Sequence, residues 1–333
     1  MDLLRESDID LAPLEGKRVA ILGFGNQGHA QALNLRDTGI DVLVGLRPAS
    51  NSIERAKASG VRVALVQEAV ASADLVMFLA PDETLGGIYA EVEALLKGGA
   101  AIGFSHGLAI HFGFIQPRDD LDVILVAPKG PGSALRSLYQ AGQGMVALWA
   151  VAQEASGGAT KLALAYGAAI GCARAGLIAS TFAEECEADL FNEQAIVWGG
   201  VPELLMAGFE TLTAAGISPQ VAFLECVGEL KLIADLIDRR GIAGMREAIS
   251  NTAELGALLA GPRIIDEHVR NRLTEVLADI RSGAFADQLR AESASNYARL
   301  KMSRMQARNH QVERVFQEFK GVAASSRSAR EAP

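Results

Sequence analysis

The feature that most constrains the fold is a short apolar run that ends in a glycine-rich turn. Lys17 to Gly23 (KRVAILG) is followed by the turn Gly23-Phe24-Gly25-Asn26-Gln27-Gly28, and a helix is expected from about Gln27 to Asp37. The spacing GxGxxG allows a tight turn, close approach of the backbone to a pyrophosphate, and close packing of helix on strand. The run therefore predicts the first strand, phosphate-binding turn and helix of a dinucleotide-binding domain.

Further apolar runs repeat this pattern along the first half of the chain. They are Asp41 to Val44, Leu75 to Leu79, Ala100 to Phe104, Val123 to Val126, and a stretch near Gly144 to Val151. Strands that alternate with helices or loops predict a parallel, right-handed, doubly wound sheet. Helical periodicity dominates from about Glu154 to Phe319. We predict an α/β Rossmann-like domain over 1–180, an all-α domain over 181–321, and a disordered tail over 322–333.

Composition narrows the class of protein. The chain has 333 residues, a net charge of −9 and three cysteines without CxxC spacing. No basic stripe indicates a nucleic-acid surface, and no apolar run is long enough for a membrane span. The charged N-terminus does not resemble a signal peptide, and the unpaired cysteines favour a cytoplasmic protein. Trp149 and Trp198 are expected to lie in the core.

Two pairs of carboxylates stand at helical i,i+4 spacing in apolar stretches of the second half. They are Asp189 with Glu193, and Glu225 with Glu229. Residues four apart share one helix face, where like charges repel, so a cation is expected to offset the repulsion. Hard oxygen ligands favour Mg²⁺. Together with the first domain, the pairs indicate a metal-assisted reductase.

The segment after the second strand discriminates between nicotinamide cofactors. It reads VGLRPASNS and lacks the acidic residue with which NAD enzymes usually bind the ribose hydroxyls. Arg47 can pair with a 2′-phosphate, and Ser50 and Ser52 can donate to it. These residues favour NADP(H). The alternative is that Ser50 or Ser52 caps the next helix.

Several motifs in this order resemble one family, the ketol-acid reductoisomerases, in their short form. The motifs are GFGNQGHAQALNLRDTG, VGLRPASNS, SHGLAIHFG, VAPKGPG, EADLFNEQ, ECVGELKLI and ISNTAELG. The resemblance extends from about Leu11 to Gly321. It implies a homodimer or higher oligomer with shared active sites and a small 2-hydroxy-3-oxo acid substrate. It also implies alkyl migration assisted by two Mg²⁺ ions, followed by reduction with NADPH, as in branched-chain amino-acid biosynthesis.

The resemblance also implies roles for individual residues. Asp189 would bridge the two ions, and Glu193, Glu225 and Glu229 would complete their ligands, the last two from a partner subunit. His106 would be the catalytic histidine and Lys129 the active-site lysine. Ser250 would hold the substrate carboxylate. Beside the cofactor, Gly132 is expected to approach it, and Asp82 either lines the nicotinamide pocket or caps a helix.

The chain also departs from the usual family pattern around these residues. Leu85 stands where glutamine is usual, Gly228 replaces a histidine, and Leu255 replaces a tyrosine. These departures leave open a diverged paralogue that acts on a related 2-hydroxy-3-oxo or 2-oxo acid. Two other interpretations stay open, a metal-independent hydroxy-acid dehydrogenase and a non-catalytic NADP-binding scaffold.

Overall fold

The computed structural model describes residues 3–328, with the backbone alone for 322–328. The chain divides into two compact units, residues 1–188 and 189–333. The division falls within a helix that begins at Phe182, whereas the sequence placed the boundary after Ser180. No helix among the described residues combines the length and the apolar character that crossing a membrane requires.

The first unit is built on one sheet of nine strands. The strands are β1 Leu3–Leu4, β2 Arg18–Leu22, β3 Asp41–Leu46, β4 Arg62–Leu65, β5 Leu75–Phe78, β6 Ala101–Phe104, β7 Asp122–Pro128, β8 Ala147–Gln153 and β9 Leu177–Ala179. The helices are α1 Asn26–Asp37, α2 Ile53–Ala58, α3 Val66–Ser72, α4 Asp82–Val92, α5 Leu108–His111, α6 Gly132–Gln140, α7 Ala159–Ala169 and α8 Phe182–Phe191.

The order of the strands is that of a doubly wound sheet with an extension. The order is β1-β9-β8-β7-β6-β5-β2-β3-β4, and the six strands from β4 to β7 are parallel. The Rossmann-like prediction is confirmed for this part. The predicted parallel direction holds for these six strands but not for the extension, because β8 pairs antiparallel with β7 and β1 pairs antiparallel with β9. Apolar side chains fill both faces of the sheet, as expected for strands covered by helices.

The second unit is helical, as the sequence predicts. Its α-helices are α9 Gly200–Ala214, α10 Pro219–Phe223, α11 Leu230–Ala248, α12 Asn251–Ile264, α13 Glu267–Arg281, α14 Ala284–Ala294, α15 Ala298–Asn309 and α16 Gln311–Ser328. Among the described residues of this unit, the π-helical turn Asn192–Val197 precedes α9, and a second one, Leu224–Gly228, lies between α10 and α11. Helix α16 takes up the first part of the predicted disordered tail, and residues 329–333 lie outside the described part.

Large apolar side chains of the second unit are exposed rather than buried. Its small core gathers around Phe209, Phe223 and Val315. By contrast, Leu232 on α11 and Leu258 on α12 are 65% and 64% exposed. Trp198 is 65% exposed as well, so its predicted place in the core is wrong. Leu232, Leu258 and Trp198 thus leave much of their apolar surface outside the core of the second unit.

Candidate active site

The glycine-rich turn joins β2 to α1 and has the geometry of a phosphate cradle. Gly23 has a φ of +101°, and a Cβ there would lie 2.7 Å from the carbonyl oxygen of Leu79. A Cβ on Gly28 would lie 2.4 Å from the carbonyl oxygen of Gly23. A Cβ on Gly25, in contrast, would meet no atom within 4 Å. Two glycines are thus required by packing, and the third leaves open space at the N-terminus of α1, where a pyrophosphate fits.

Neighbouring side chains hold this turn against the loop that precedes α6. Gln27 Nε2 donates to the carbonyl of Gly130 over 2.9 Å, and Asn26 Oδ1 accepts from the N–H of Ser133 over 3.1 Å. A Cβ on Gly132 would lie 2.1 Å from the carbonyl oxygen of Asn26. The structure therefore brings Gly132 to the cofactor turn, and the requirement for glycine there comes from contact with protein backbone.

The segment after β3 exposes the residues that the sequence assigned to a 2′-phosphate. Arg47 is exposed to solvent. Ser52 occupies the N-cap position of α2 without a side-chain bond to the helix, and Ser50 Oγ accepts from the N–H of Ser52 over 3.3 Å. The alternative of a side-chain helix cap is therefore not the arrangement of either serine.

Arg55, on the first turn of α2, belongs to the same region, and sequence reasoning missed it. Its guanidinium donates to the carbonyl oxygen of Phe24 and lies 5.4 Å from the centre of the Phe24 ring. Phe24 is itself only 2% exposed. The available signal was a cation in the first turn of a helix, where acidic residues are favoured. Arg55 adds positive charge beside the glycine-rich turn.

Apart from the glycine-rich turn, the first unit contains a polar cluster of three residues that are distant in sequence: His106, Lys129 and Glu185. His106 and Lys129 follow β6 and β7 at the carboxyl edge of the sheet, where ligands of α/β proteins bind. Glu185 on α8 lies between them and is 1% exposed. Its Oε2 is 3.1 Å from His106 Nδ1 and accepts from the N–H of Gly107 over 2.8 Å. Its Oε1 accepts from Lys129 Nζ over 2.9 Å.

Electrostatics favour the charged forms of this cluster. Burial alone would lower the pKa of His106. Hydrogen bonds to Cys186 and Glu185, with the nearby charges of Glu185 and Asp82, outweigh burial and raise that pKa well above its ordinary 6.5. Burial alone would raise the pKa of Glu185, but the bonds and charges of His106 and Lys129 lower it below its ordinary 4.5. The imidazole of His106 and the amine of Lys129 thus share one buried carboxylate.

Close packing fixes the position of this cluster. A Cβ on Gly107 would lie 2.2 Å from the carbonyl oxygen of Phe182, so α8 approaches the loop after β6 very closely.

Asp82 is the first residue of α4 and not its cap, because Pro81 holds the N-cap position. Asp82 nevertheless contributes charge at His106. Sequence reasoning missed Glu185 altogether, since nothing local distinguishes it from Glu184 and Glu187.

The first predicted metal pair continues along α8 into the second unit. Asp189 stands one helical turn after Glu185, so the two carboxylates share a helix face. Glu193 lies in the π-helical turn Asn192–Val197. The second pair resembles the first, because Glu225 lies within the turn Leu224–Gly228 and Glu229 directly follows it. Turns of this kind are rare and frequently occur at functional sites.

The donor set of the second unit fits a hard divalent cation. Glu225 and Glu229 are exposed carboxylates, and Ser250 is the N-cap residue of α12. Carboxylate oxygens with open positions for water are the ligands that Mg²⁺ prefers. The Oγ of Ser250 accepts from the N–H of Ala253 over 3.2 Å, so this predicted substrate residue also caps α12.

The departures from the family pattern differ in their surroundings. Leu85 is 1% exposed within the apolar core of the first unit, so it does not line a binding surface. Leu255 is 57% exposed and borders a shallow cavity of about 230 Å³, together with Arg246 and Glu254. Gly228 leaves room for a side chain, because a Cβ there would come no closer than 3.6 Å to the nearest atom, Leu224 Cδ2.

Comparison with known proteins agrees with these observations. Residues 13–176 match the acetohydroxy acid isomeroreductase NADPH-binding domain, and residues 182–324 match the ketol-acid reductoisomerase C-terminal domain. An NADH-preferring ketol-acid reductoisomerase from an uncultured archean is 41% identical over 96% of this chain and 99% of that one, with a TM-score of 0.93.

More distant structures share the fold alone. A semialdehyde dehydrogenase NAD-binding protein from Cupriavidus necator, at 17% identity, covers 80% of this chain and 99% of its own, with a TM-score of 0.59. Pyrroline carboxylate reductase from Plasmodium falciparum, at 12% identity, covers 81% and 98%, with a TM-score of 0.51. The two domain matches and the archaeal relative establish an oxidoreductase with a nicotinamide-binding domain. The chain belongs to the ketol-acid reductoisomerase family.

Proposed function

We propose that this protein is an NADPH- and Mg²⁺-dependent ketol-acid reductoisomerase of branched-chain amino-acid biosynthesis. Its substrates would be 2-acetolactate and related 2-hydroxy-3-oxo acids, and its products 2,3-dihydroxy acids. The observation that carries the proposal is the buried Glu185. It binds His106 and Lys129 and stands one turn before Asp189 on α8.

The chemistry requires a proton to leave one oxygen while a neighbouring carbonyl becomes an alcohol. In the first step an alkyl group moves from C2 to C3, and the proton of the C2 hydroxyl moves to the oxygen on C3. When bound, two Mg²⁺ ions would polarise both oxygens, and NADPH would supply the hydride that reduces C2 in the second step. Asp189, Glu193, Glu225 and Glu229 would hold the ions.

The residues of the first unit would handle protons and orientation. His106, kept cationic by Glu185, can donate a proton to the oxygen on C2 during reduction and regain it from solvent. Lys129 carries fixed positive charge at the same carboxylate and can orient an anionic substrate. Glu185 holds both cations and needs no change of its own protonation.

The preference for NADPH rests on positive charge near the adenosine side of the glycine-rich turn. Arg47 is exposed, and Arg55 lies over Phe24. Such cations pair with a 2′-phosphate that NADH lacks. NADH is the second candidate, because the archaeal relative is described as NADH-preferring. The ratio of kcat/KM values for the two cofactors decides between them.

We further propose a cytosolic homodimer or higher oligomer in which Glu225, Glu229 and Ser250 serve the partner's site. The support is the exposed apolar surface of α11 and α12, which carry or follow these residues. A second copy of the chain would bury this surface. All three cysteines are free, which agrees with a reducing compartment.

One assay tests the reaction and its alternatives. NADPH oxidation is followed with 2-acetolactate and with 2-aceto-2-hydroxybutyrate, with and without Mg²⁺. We expect turnover of both acids only with Mg²⁺. Turnover without Mg²⁺ would favour a hydroxy-acid dehydrogenase. Turnover of neither acid, with turnover of a related 2-hydroxy-3-oxo or 2-oxo acid, would favour the diverged paralogue, which the departures at Gly228 and Leu255 permit. Cofactor binding without any turnover would favour a scaffold.

A further inference from the structure

The π-helical turn that carries Glu193 closes on two glycines. A Cβ on Gly199 would lie 1.8 Å from the carbonyl oxygen of Gln194, and a Cβ on Gly200 would lie 2.2 Å from that of Ala195. No side chain can occupy either position unless the backbone moves, because these contacts are far below any van der Waals separation. The widened turn therefore requires glycine at both places.

Backbone hydrogen bonds tie the end of this turn to Glu193. The carbonyl oxygen of Glu193 accepts from the N–H of Trp198 over 3.2 Å and from the N–H of Gly199 over 3.0 Å. In a regular α-helix this oxygen would accept from residue 197. The direction in which Glu193 leaves the helix thus depends on the path of the chain at Gly199.

We propose that Gly199 and Gly200 are positioning residues for the metal ligand Glu193. They permit the tight return of the chain that creates the π-helical turn, and the turn sets the orientation of the Glu193 carboxylate. An alanine at either position pushes the chain towards a regular helix and rotates Glu193 relative to Asp189. The inference rests on the proposed role of Glu193 as a ligand.

The second π-helical turn provides a matched control. At Gly228, the last residue of that turn, the nearest atoms to a Cβ would be Leu224 Cδ2 at 3.6 Å and the carbonyl oxygen of Phe223 at 3.9 Å. These are ordinary contacts, so a side chain fits there without any shift. Gly228→Ala changes a glycine in the same kind of turn and leaves the path of the chain intact.

The experiment compares four full-length variants: Gly199→Ala, Gly200→Ala, Gly228→Ala and Glu193→Gln. Mn²⁺ binding, measured by electron paramagnetic resonance, serves as the probe for the Mg²⁺ site, and NADPH binding reports that the chain is folded. We expect Mn²⁺ affinity to fall about 10- to 100-fold in the Gly199 and Gly200 variants, the usual effect of losing support for a ligand. The Mn²⁺ affinity of Gly228→Ala should stay within about twofold of that of the unsubstituted protein. The NADPH affinity should be unchanged in all four variants.

The outcomes separate the inference from the proposed function. If Glu193→Gln leaves Mn²⁺ affinity unchanged, the ligand role of Glu193 is wrong. If Glu193→Gln weakens Mn²⁺ binding but both glycine variants bind it normally, the positioning role is wrong. Should neither glycine variant fold, hydrogen exchange of the unsubstituted protein decides. The amides of Trp198 and Gly199 should exchange more slowly with Mg²⁺ present, and unchanged exchange would overturn the inference.

Discussion

The polar groups of the two units differ in how completely their own unit surrounds them. In the first unit, Glu185 is buried, and its carboxylate oxygens lie 2.8 to 3.1 Å from the polar nitrogens of His106, Lys129 and the Gly107 backbone. In the second, Glu225 and Glu229 are exposed beside apolar side chains that are exposed as well. The hydrogen-bond partners of Glu185 are thus already in place, whereas Glu225 and Glu229 are the residues to which our proposal assigns a cation and a partner subunit. The buried carboxylate of the first unit therefore has all its hydrogen-bond partners within that unit, whereas the two carboxylates of the second unit remain open to solvent.

The largest expected effect comes from the first metal pair. Asp189→Asn removes a charge that we assign to both ions, so activity with 2-acetolactate should fall by at least about a thousandfold. The Kd of NADPH, measured by fluorescence, should stay within about twofold, because the glycine-rich turn belongs to the first unit and Asp189 begins the second. Asp238→Asn, an exposed carboxylate on α11, is the control and should retain full activity. Normal turnover of the Asp189 variant would refute the bridging role.

Mixing two inactive variants tests whether the second unit serves a partner. His106→Ala and Glu225→Gln should each be inactive alone. If sites are shared, every mixed dimer regains one intact site, and a random mixture recovers about a quarter of the activity of the unsubstituted protein. The mixture is prepared by co-expression, and the double variant on one chain is the control. No recovery in a stable mixed dimer would mean that each chain completes its own site.

Removing the buried carboxylate should have the next largest effect. Glu185→Gln keeps the shape but leaves two cations without their shared counter-charge, so kcat should fall by about a hundredfold. The pKa of His106 should also fall, since Glu185 helps to raise it. Nuclear magnetic resonance of labelled histidine measures that shift, and Glu187→Gln is the control. An unchanged His106 titration would contradict the coupling.

The pH dependence of stability follows from the same pair. The raised pKa of His106 means that its contribution is present at pH values below 6.5 and is lost as the pH rises through the raised value. The lowered pKa of Glu185 means that its contribution is present above 4.5 and is lost as the pH falls through the lowered value. Glu185→Gln should therefore lower the free energy of unfolding most between pH 4.5 and pH 6.5, where both contributions are fully present. Denaturant unfolding at several pH values measures this loss.

A smaller effect is expected at the cofactor. Arg47→Asp should raise the Kd of NADPH by about tenfold or more, and the Kd of NADH less, because only NADPH carries the 2′-phosphate. Lys161→Asp makes the same change of charge on the exposed side of α7 and should affect neither. Equal losses for both cofactors would count against the phosphate assignment.

Local patterns predicted the positions of most strands in the sequence, but they predicted the relative directions of the strands less well. Apolar runs identified six strands, but β4 (RVAL) and β9 (LIA) are too short to stand out, and β1 has two residues. A helix between β7 and β8 predicts a parallel pair, yet the pair is antiparallel. Apolar patterning reports that a strand is buried, and it does not report which way the strand runs.

The candidate site was predictable where its signal is local. The glycine-rich turn and the acidic pairs have fixed spacings, and the sequence shows both. Glu185 has no such signal, because its partners, residues 106 and 129, are distant in sequence and only folding brings them together. The prediction for Trp198 was wrong for a related reason, because an exposed apolar residue can have the same local sequence pattern as one in a core.

The fate of a labelled methyl group shows whether an alkyl group migrates before the reduction. With 2-acetolactate carrying ¹³C in the methyl on C2, plus NADPH and Mg²⁺, we expect 2,3-dihydroxy-3-methylbutanoate with the label in a methyl group attached to C3. Carbon nuclear magnetic resonance distinguishes this product from 2,3-dihydroxy-2-methylbutanoate, which arises when the C3 ketone is reduced without migration. The migrated product, absent when Asp189 is replaced by asparagine, would support the account, and the unmigrated product would contradict it.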